Sequence, residues 1–369
     1  MQKCNTIDIF NLFSVFLIKI SLKDNKNTMF IINNNNLIKG VINMNIKKIG
    51  LTALAASLVS VSANAGAISV SGGASMNVTG HTGEGRDVGT SFTMGNQLTF
   101  TGSGELDNGM NVSVSFVIDQ GDDTAIANAP FDSHSVTVST DGMGSITLAG
   151  EGGTTATGAI NKTAAGNLWD AFDGLGTLNT ISFATDLMTT VSAGNNGFMY
   201  TSPELAEGLT LVGSYMPQGG NAEAGTGYGA NYTGFDGLTI NVATQDVVGG
   251  SAGARGDLDV YKVSYAYGSF TGTVSNSHYD VGTSTSDQET SSYAVSYSVS
   301  DDLSITYGSE THESGTAGDQ DAEITGMSFS YTSGGMTLSG SMKDGENLVY
   351  GTNTVEDREQ WTLGASFAF

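Results

Sequence analysis

The last eleven residues, 359–369 (EQWTLGASFAF), constrain the fold more than any other stretch of the chain. Trp361, Leu363, Ala365, Phe367 and Phe369 fall on one parity; Gln360, Thr362, Gly364, Ser366 and Ala368 fall on the other. Alternation this strict has the two-residue period of an extended strand with one apolar and one polar face. A tilted strand needs about 9–11 residues to cross a bilayer, which this stretch supplies. An edge strand of a water-soluble sandwich has the same pattern, so the remaining sequence must decide between the two.

The pattern recurs along most of the chain. Alternating segments follow one another at 68–78, 97–106, 110–119, 133–140, 145–150, 197–202, 209–215, 228–233, 238–244, 258–267, 270–279, 291–299, 303–311, 322–331, 336–343 and 359–369. That makes about sixteen, an even number, as single-chain bacterial membrane barrels have. Short connections such as Asp107-Asn108-Gly109, Gly268-Ser269 and Gly334-Gly335 use residues that reach the φ > 0 conformations of tight hairpins. They alternate with long polar ones at 80–95, 120–132 and 344–357, the two-ended layout of a transmembrane barrel. Val112, Val114, Phe116 and Ile118 oppose Asn111, Ser113 and Ser115, and Tyr293, Val295, Tyr297 and Val299 oppose Ser292, Ala294, Ser296 and Ser298. The solvent face of a sandwich would carry Lys and Glu. Here the second face is small and hydroxylated, which suits a wet lumen. No convincing helical period occurs after residue 66 outside 167–176. The expected fold is all-β: a transmembrane antiparallel β-barrel of about 16 strands.

Residues 1–43 are rich in Asn, Ile and Lys and read as an upstream extension outside the mature protein. Met44 opens a better N-terminus: Lys47 and Lys48, an apolar stretch at 49–61, then Ala63-Asn64-Ala65. Those parts in that order describe a secretory signal peptide over 44–65, leaving 66–369 as the barrel. The single cysteine, Cys4, falls in the extension, so the barrel has no disulfide framework and no thiol chemistry. After Ala65 the only basic residues are Arg86, Lys162, Arg255, Lys262, Lys343 and Arg358, against 35 acidic ones. That balance excludes a nucleic-acid partner and draws cations.

Catalytic patterns are missing. His81, His134, His278 and His312 are scattered without metal-ligand spacing, and there is no GxSxG elbow, P-loop or HExxH. No enzyme activity and no cofactor are expected. His312, beside Glu310 and Glu313, reads as a loop histidine in solvent. Asp122-Asp123 and 319–321 (DQD) offer hard oxygen ligands to calcium, with an exposed acidic loop tip as the plainer reading.

With these residues assembled, the chain resembles the general bacterial porins, trimeric sixteen-stranded diffusion channels of Gram-negative outer membranes. The likeness covers the layout of 66–369 and is clearest at 109–116 (GMNVSVSF), at 196–215 (NGFMYTSPELAEGLTLVGSY) and in the final strand. It implies passive passage of small hydrophilic solutes and ions, a homotrimer, contact with outer-membrane lipid and lipopolysaccharide, and no catalysis. It implies that Phe369, with Phe367 and Trp361, forms the signal read by the barrel-insertion machinery. It further implies that the third long loop, 151 to about 195, folds inward and constricts the pore. Asp170, Asp173, Glu151 and Asp186 would then lie at the constriction, with 168–173 (LWDAFD) as a short helix whose apolar side meets the wall. The basic wall cluster of such porins is not matched, because only Lys262 and Lys343 fall on lumen-parity positions of the expected strands. The acid excess makes the expected channel cation-preferring. Two other readings stand beside it. A substrate-specific outer-membrane channel would need a lumen track of aromatics or charges, and a secreted acidic β-rich adhesin would need a fixed repeat, which the sequence lacks.

Overall fold

The computed structural model describes residues 6–8, 19–21, 32–33, 36–37, 68–83, 89–119, 131–160, 163–172, 195–217, 224–248, 255–280, 287–313, 318–348 and 357–369. The expected signal segment and most of 1–43 lie outside them. In the N-terminal unit, Thr6–Asp8 pairs with Lys19–Ser21 and Ile32–Asn33 with Asn36–Leu37.

The second unit is a closed barrel of sixteen antiparallel strands. In chain order they are β1 (Ile68–Gly83), β2 (Gly89–Glu105), β3 (Asn111–Asp119), β4 (Ser133–Thr140), β5 (Gly144–Glu151), β6 (Gly197–Thr201), β7 (Leu209–Met216) and β8 (Gly225–Phe235). There follow β9 (Leu238–Val248), β10 (Arg255–Tyr267), β11 (Phe270–Asp280), β12 (Gln288–Ser298), β13 (Leu303–Glu313), β14 (Ala322–Ser333), β15 (Met336–Glu346) and β16 (Arg358–Ala368). Each strand pairs with its neighbours in sequence, and β16 pairs with β1 to close the ring. The sixteen segments expected from alternation correspond to these strands one for one.

Closure runs through the last residue. Beyond the last register pair, Ala368 with Gly73, Gly72 N–H donates to Phe369 O at 2.8 Å and Phe369 N–H donates to Gly72 O at 3.0 Å. A Cβ on Gly72 would lie 2.5 Å from Phe369 Cε2 and 2.9 Å from Leu98 Cδ2, so a larger residue there would push the terminal ring aside.

The two faces differ as the alternation requires. Tyr261 and Tyr265 of β10, Tyr293, Val295 and Tyr297 of β12, and Trp361 and Leu363 of β16 are exposed on the apolar parity. The other parity carries cross-strand hydroxyl pairs: Thr137 with Thr147 at 2.8 Å, Ser264 with Thr273 at 2.9 Å, and Ser296 with Thr306 at 2.8 Å. These hydroxyls satisfy one another along the wall.

Strand heights depart from the sequence reading. Residues 80–95, expected to be a long connection, belong mostly to β1 and β2. The period of two in fact continues there, with Phe92 and Met94 exposed on one parity and Ser91 and Thr93 on the other. Glycine and threonine on both sides hide it. In the other direction, β4 to β7 have 8, 8, 5 and 8 residues, against 11 to 13 in β8 to β16. One side of the wall is low.

Candidate functional site on the polar face of the barrel

The connection between β5 and β6 does not stay at the strand ends. Its described residues run along the polar parity of one strand after another. Ala156 N–H donates to Ser214 Oγ of β7 at 3.0 Å, and the Thr157 hydroxyl to Gln245 Oε1 of β9 at 2.7 Å. Ala164 N–H donates to Ser275 Oγ of β11 at 2.8 Å, and Ala165 N–H to Ser292 Oγ of β12 at 3.0 Å. Leu168 and Trp169 N–H donate to the two carboxylate oxygens of Glu310 on β13 at 2.9 and 3.2 Å. Farther round, the Gln360 amide of β16 donates to Ala171 O. A segment with only two short 3-10 turns, Gly158–Ile160 and Leu168–Ala171, thus satisfies many of its backbone groups on side chains that the wall supplies at the right parity.

Two apolar islands fix the same path. Leu258 and Val260 of β10 are buried with Ala156, Ile160, Val212 and Ala243. Ala322 and Ile324 of β14 are buried with Leu168, Trp169, Ala171, Phe172 and Leu348. Leu258, Val260 and Ile324 are aliphatic breaks in an otherwise polar parity, and each lies under the connection. Fully burying one such side chain is worth about 1.5–3 kcal/mol, which offsets part of the ordering cost of the segment. Close approach also needs room: a Cβ on Gly308 would lie 2.6 Å from Ala165 Cβ, and one on Gly326 would lie 2.8 Å from Leu168 Cδ2.

Glu310 is the centre of this arrangement. Its side chain is fully buried, a position that costs a lone carboxylate several kcal/mol. Here it accepts from two backbone N–H groups at the first turn of the 3-10 helix Leu168–Ala171 and from the Thr163 hydroxyl, with His312 Nε2 at 3.4 Å. Asn167, before that helix, sits at φ 60 and ψ 63, a left-handed conformation that asparagine tolerates, and its Oδ1 accepts from Thr163 N–H at 2.9 Å. His312 is not in solvent, as its neighbouring acids suggested. It is buried on the polar parity, with Nδ1 3.0 Å from the Thr290 hydroxyl and its ring 5.0 Å from that of Trp169.

The residues expected at a constriction are distributed as follows. Asp170 is exposed, while Leu168, Trp169 and Ala171 around it are buried. Asp173 and Asp186 lie outside the described residues. Glu151 ends β5, half-buried, and belongs to neither island. Lys343 of β15 is half-buried on the polar parity; a Cβ on Gly326 would lie 3.5 Å from its Cγ, which sets its stem beside Leu168. Lys262 of β10 is half-buried between Asn241 and Ser275 in register. Arg358 corrects the count of two basic residues on this face. It is the first residue of β16, shares the parity of Gln360, and is buried. The sequence reading began the strand one residue later and so left it out. Glu310, Gln360 and Leu348 were missed as site residues, and only the aliphatic breaks in the polar parity signalled that something covers this face.

A closed sixteen-stranded barrel, apolar on one face and hydroxylated on the other, belongs to the transmembrane β-barrel channels. The family can be stated: a model of the Gram-negative porins matches residues 50–369, and the chain belongs to that family, whose members are outer-membrane channels and not enzymes. No curated protein matches the sequence. Among solved structures, the anion-selective porin from Comamonas acidovorans is 16% identical with a TM-score of 0.60, over 82% of this chain and 99% of that one. A mutant of the Rh. blastica porin is 20% identical with a TM-score of 0.56, over 82% of this chain and 100% of that one. At such identity the likeness is one of fold.

Proposed function

We propose that this protein is a general diffusion channel of the outer membrane, passing small hydrophilic solutes and ions with a preference for cations. The observation that carries the proposal is the path of the β5–β6 connection, bonded strand after strand to the polar face. In a barrel embedded in lipid the apolar face meets hydrocarbon and the polar face lines the lumen. On this reading residues 155–172 narrow the pore, and Asp170 faces the aqueous passage. Asp173, Glu151 and Asp186 are proposed to add negative charge on the same connection, with Lys262, Lys343 and Arg358 on the wall. The Comamonas porin is anion-selective. Six basic residues against 35 acidic ones after Ala65 favour the opposite sign here.

Among the described strand residues, Phe, Tyr and Trp keep to the apolar face, Phe235 after a register shift in β8, apart from Tyr279, which packs on the Leu258 island. This supports general diffusion over a channel with an aromatic substrate track. The low wall supports a trimer. Five residues of β6 rise only about 17 Å, against an apolar band of about 25 Å in such barrels. Neighbouring copies are proposed to cover that side, leaving the taller wall to lipid and lipopolysaccharide. Export through the 44–65 segment and insertion through Phe369 complete the proposal.

Liposome swelling with sugars of graded size tests the channel reading. Rates that fall smoothly with solute size support it. One sugar entering faster than smaller ones favours the substrate-specific alternative, and liposomes impermeable to every sugar overturn the channel.

A further inference from the structure

We infer that Asn347 and Leu348, the two residues after β15, are positioning residues for the pore constriction, so that a connection at the long-loop end sets how firmly the constriction is held. The inference rests on the reading above that residues 155–172 narrow the channel.

At Asn347 the chain takes φ 52, a left-handed conformation that asparagine tolerates better than most residues. The turn seats Leu348 among Leu168, Trp169, Ala171, Phe172, Ala322 and Ile324, where it is only 1% exposed. Gly345, one turn of the pleat earlier on the polar parity, makes the socket: a Cβ there would lie 2.8 Å from Leu348 Cδ2 and 3.1 Å from Phe172 Cε2. Asn347 fixes the turn from two sides. Its backbone N–H donates to Asp357 Oδ1 at 2.9 Å, just before β16, and its side-chain amide donates to Asp321 O at 3.1 Å, just before β14. One residue thereby ties the two ends of the β15–β16 connection to each other and to the β13–β14 connection, and places Leu348 against the helix that carries Asp170. The wall grips the backbone of that helix through Glu310 and Gln360. Leu348 grips its side chains.

A residue that only filled space would affect barrel stability and leave the pore alone. Single-channel recording in planar bilayers, with polymers of graded size as pore blockers, separates the two roles. Leu348→Ala is expected to keep the folded, heat-modifiable barrel while raising open-channel noise and shifting the polymer cut-off to larger sizes. Leu348→Met should restore both, and Asn347→Gly, which keeps the left-handed turn but loses the tie to Asp321, should raise the noise as Leu348→Ala does. If Leu348→Ala yields no folded barrel, Leu348→Val is read in the same way. Wild-type noise and cut-off in folded Leu348→Ala or Leu348→Val protein would overturn the inference. The constriction reading has its own control. Asp170→Trp should lower the cut-off, and an unchanged cut-off in that variant would fail the constriction itself, whereas a lowered one beside silent Leu348 variants would fail only the positioning role.

Discussion

Glu310 determines where the longest connection of this barrel lies. A buried carboxylate is tolerated when its oxygens are filled, and the backbone of residues 168–169, the Thr163 hydroxyl and His312 fill them. Hydrogen bonds to a charged group contribute about 1.5–3 kcal/mol each, so this one side chain outweighs any single Ser contact along the path. Replacing it with alanine should free the segment without opening the barrel, whose strand ladders do not involve it. Lys162 is the only basic residue between Arg86 and Arg255, and it offers trypsin one site in that segment. Glu310→Ala should therefore be cut after Lys162 faster than the wild type while the barrel stays heat-modifiable; equal cleavage rates would refute the anchoring role. At this scale the sequence was only half legible. Parity assigns Lys343 and Lys262 to the polar face. Parity cannot say what leans on a face. His312 read as a histidine in solvent, and Glu310 drew no reading of its own, because their partners come from a connection far earlier in the chain.

The strands were the most legible elements, because a period of two is a local property written in each segment. The tight turns were legible for the same reason: Gly109, Gly237, Gly268 and Gly334 all sit at positive φ in the short connections. Strand heights were not, since glycine and threonine blur the alternation in β1 and β2, and the shortness of β6 depends on where the neighbouring connection departs. The path of residues 155–160 and 163–172 along the polar parity was not legible in any local period, because it depends on side chains of distant strands. The closing element yields a prediction of its own. Phe369 pairs with Gly72 through two backbone hydrogen bonds and lays its ring where a Gly72 Cβ would stand. Deleting Phe369 should sharply reduce outer-membrane levels while export continues, and Gly72→Val should do so more mildly by displacing the ring. Immunoblots of membrane fractions decide it; wild-type amounts of folded barrel in the deletion strain would remove Phe369 from the closing mechanism.

At the scale of the whole molecule, closure and charge set the behaviour. A barrel whose strand ladder returns to its start has no free edge, so unfolding must break many hydrogen bonds together. The protein should resist SDS until boiled, and identical migration with and without heating would contradict a closed barrel. The field of the acid excess acts most strongly where a passage is narrowest and water is least able to screen it, so the proposal that Asp170 stands at the constriction gives it weight beyond one charge in 35. Salt should weaken the effect, since the Debye length is about 10 Å at 0.1 M and about 3 Å at 1 M. The most direct test of a cation-preferring diffusion channel is the zero-current potential of reconstituted protein across a KCl gradient. A potential of the sign that marks K+ permeation is predicted, large at low salt, smaller at high salt, and reduced in Asp170→Asn. A potential of the opposite sign in the wild type, or membranes that show no conductance steps at all, would contradict the account.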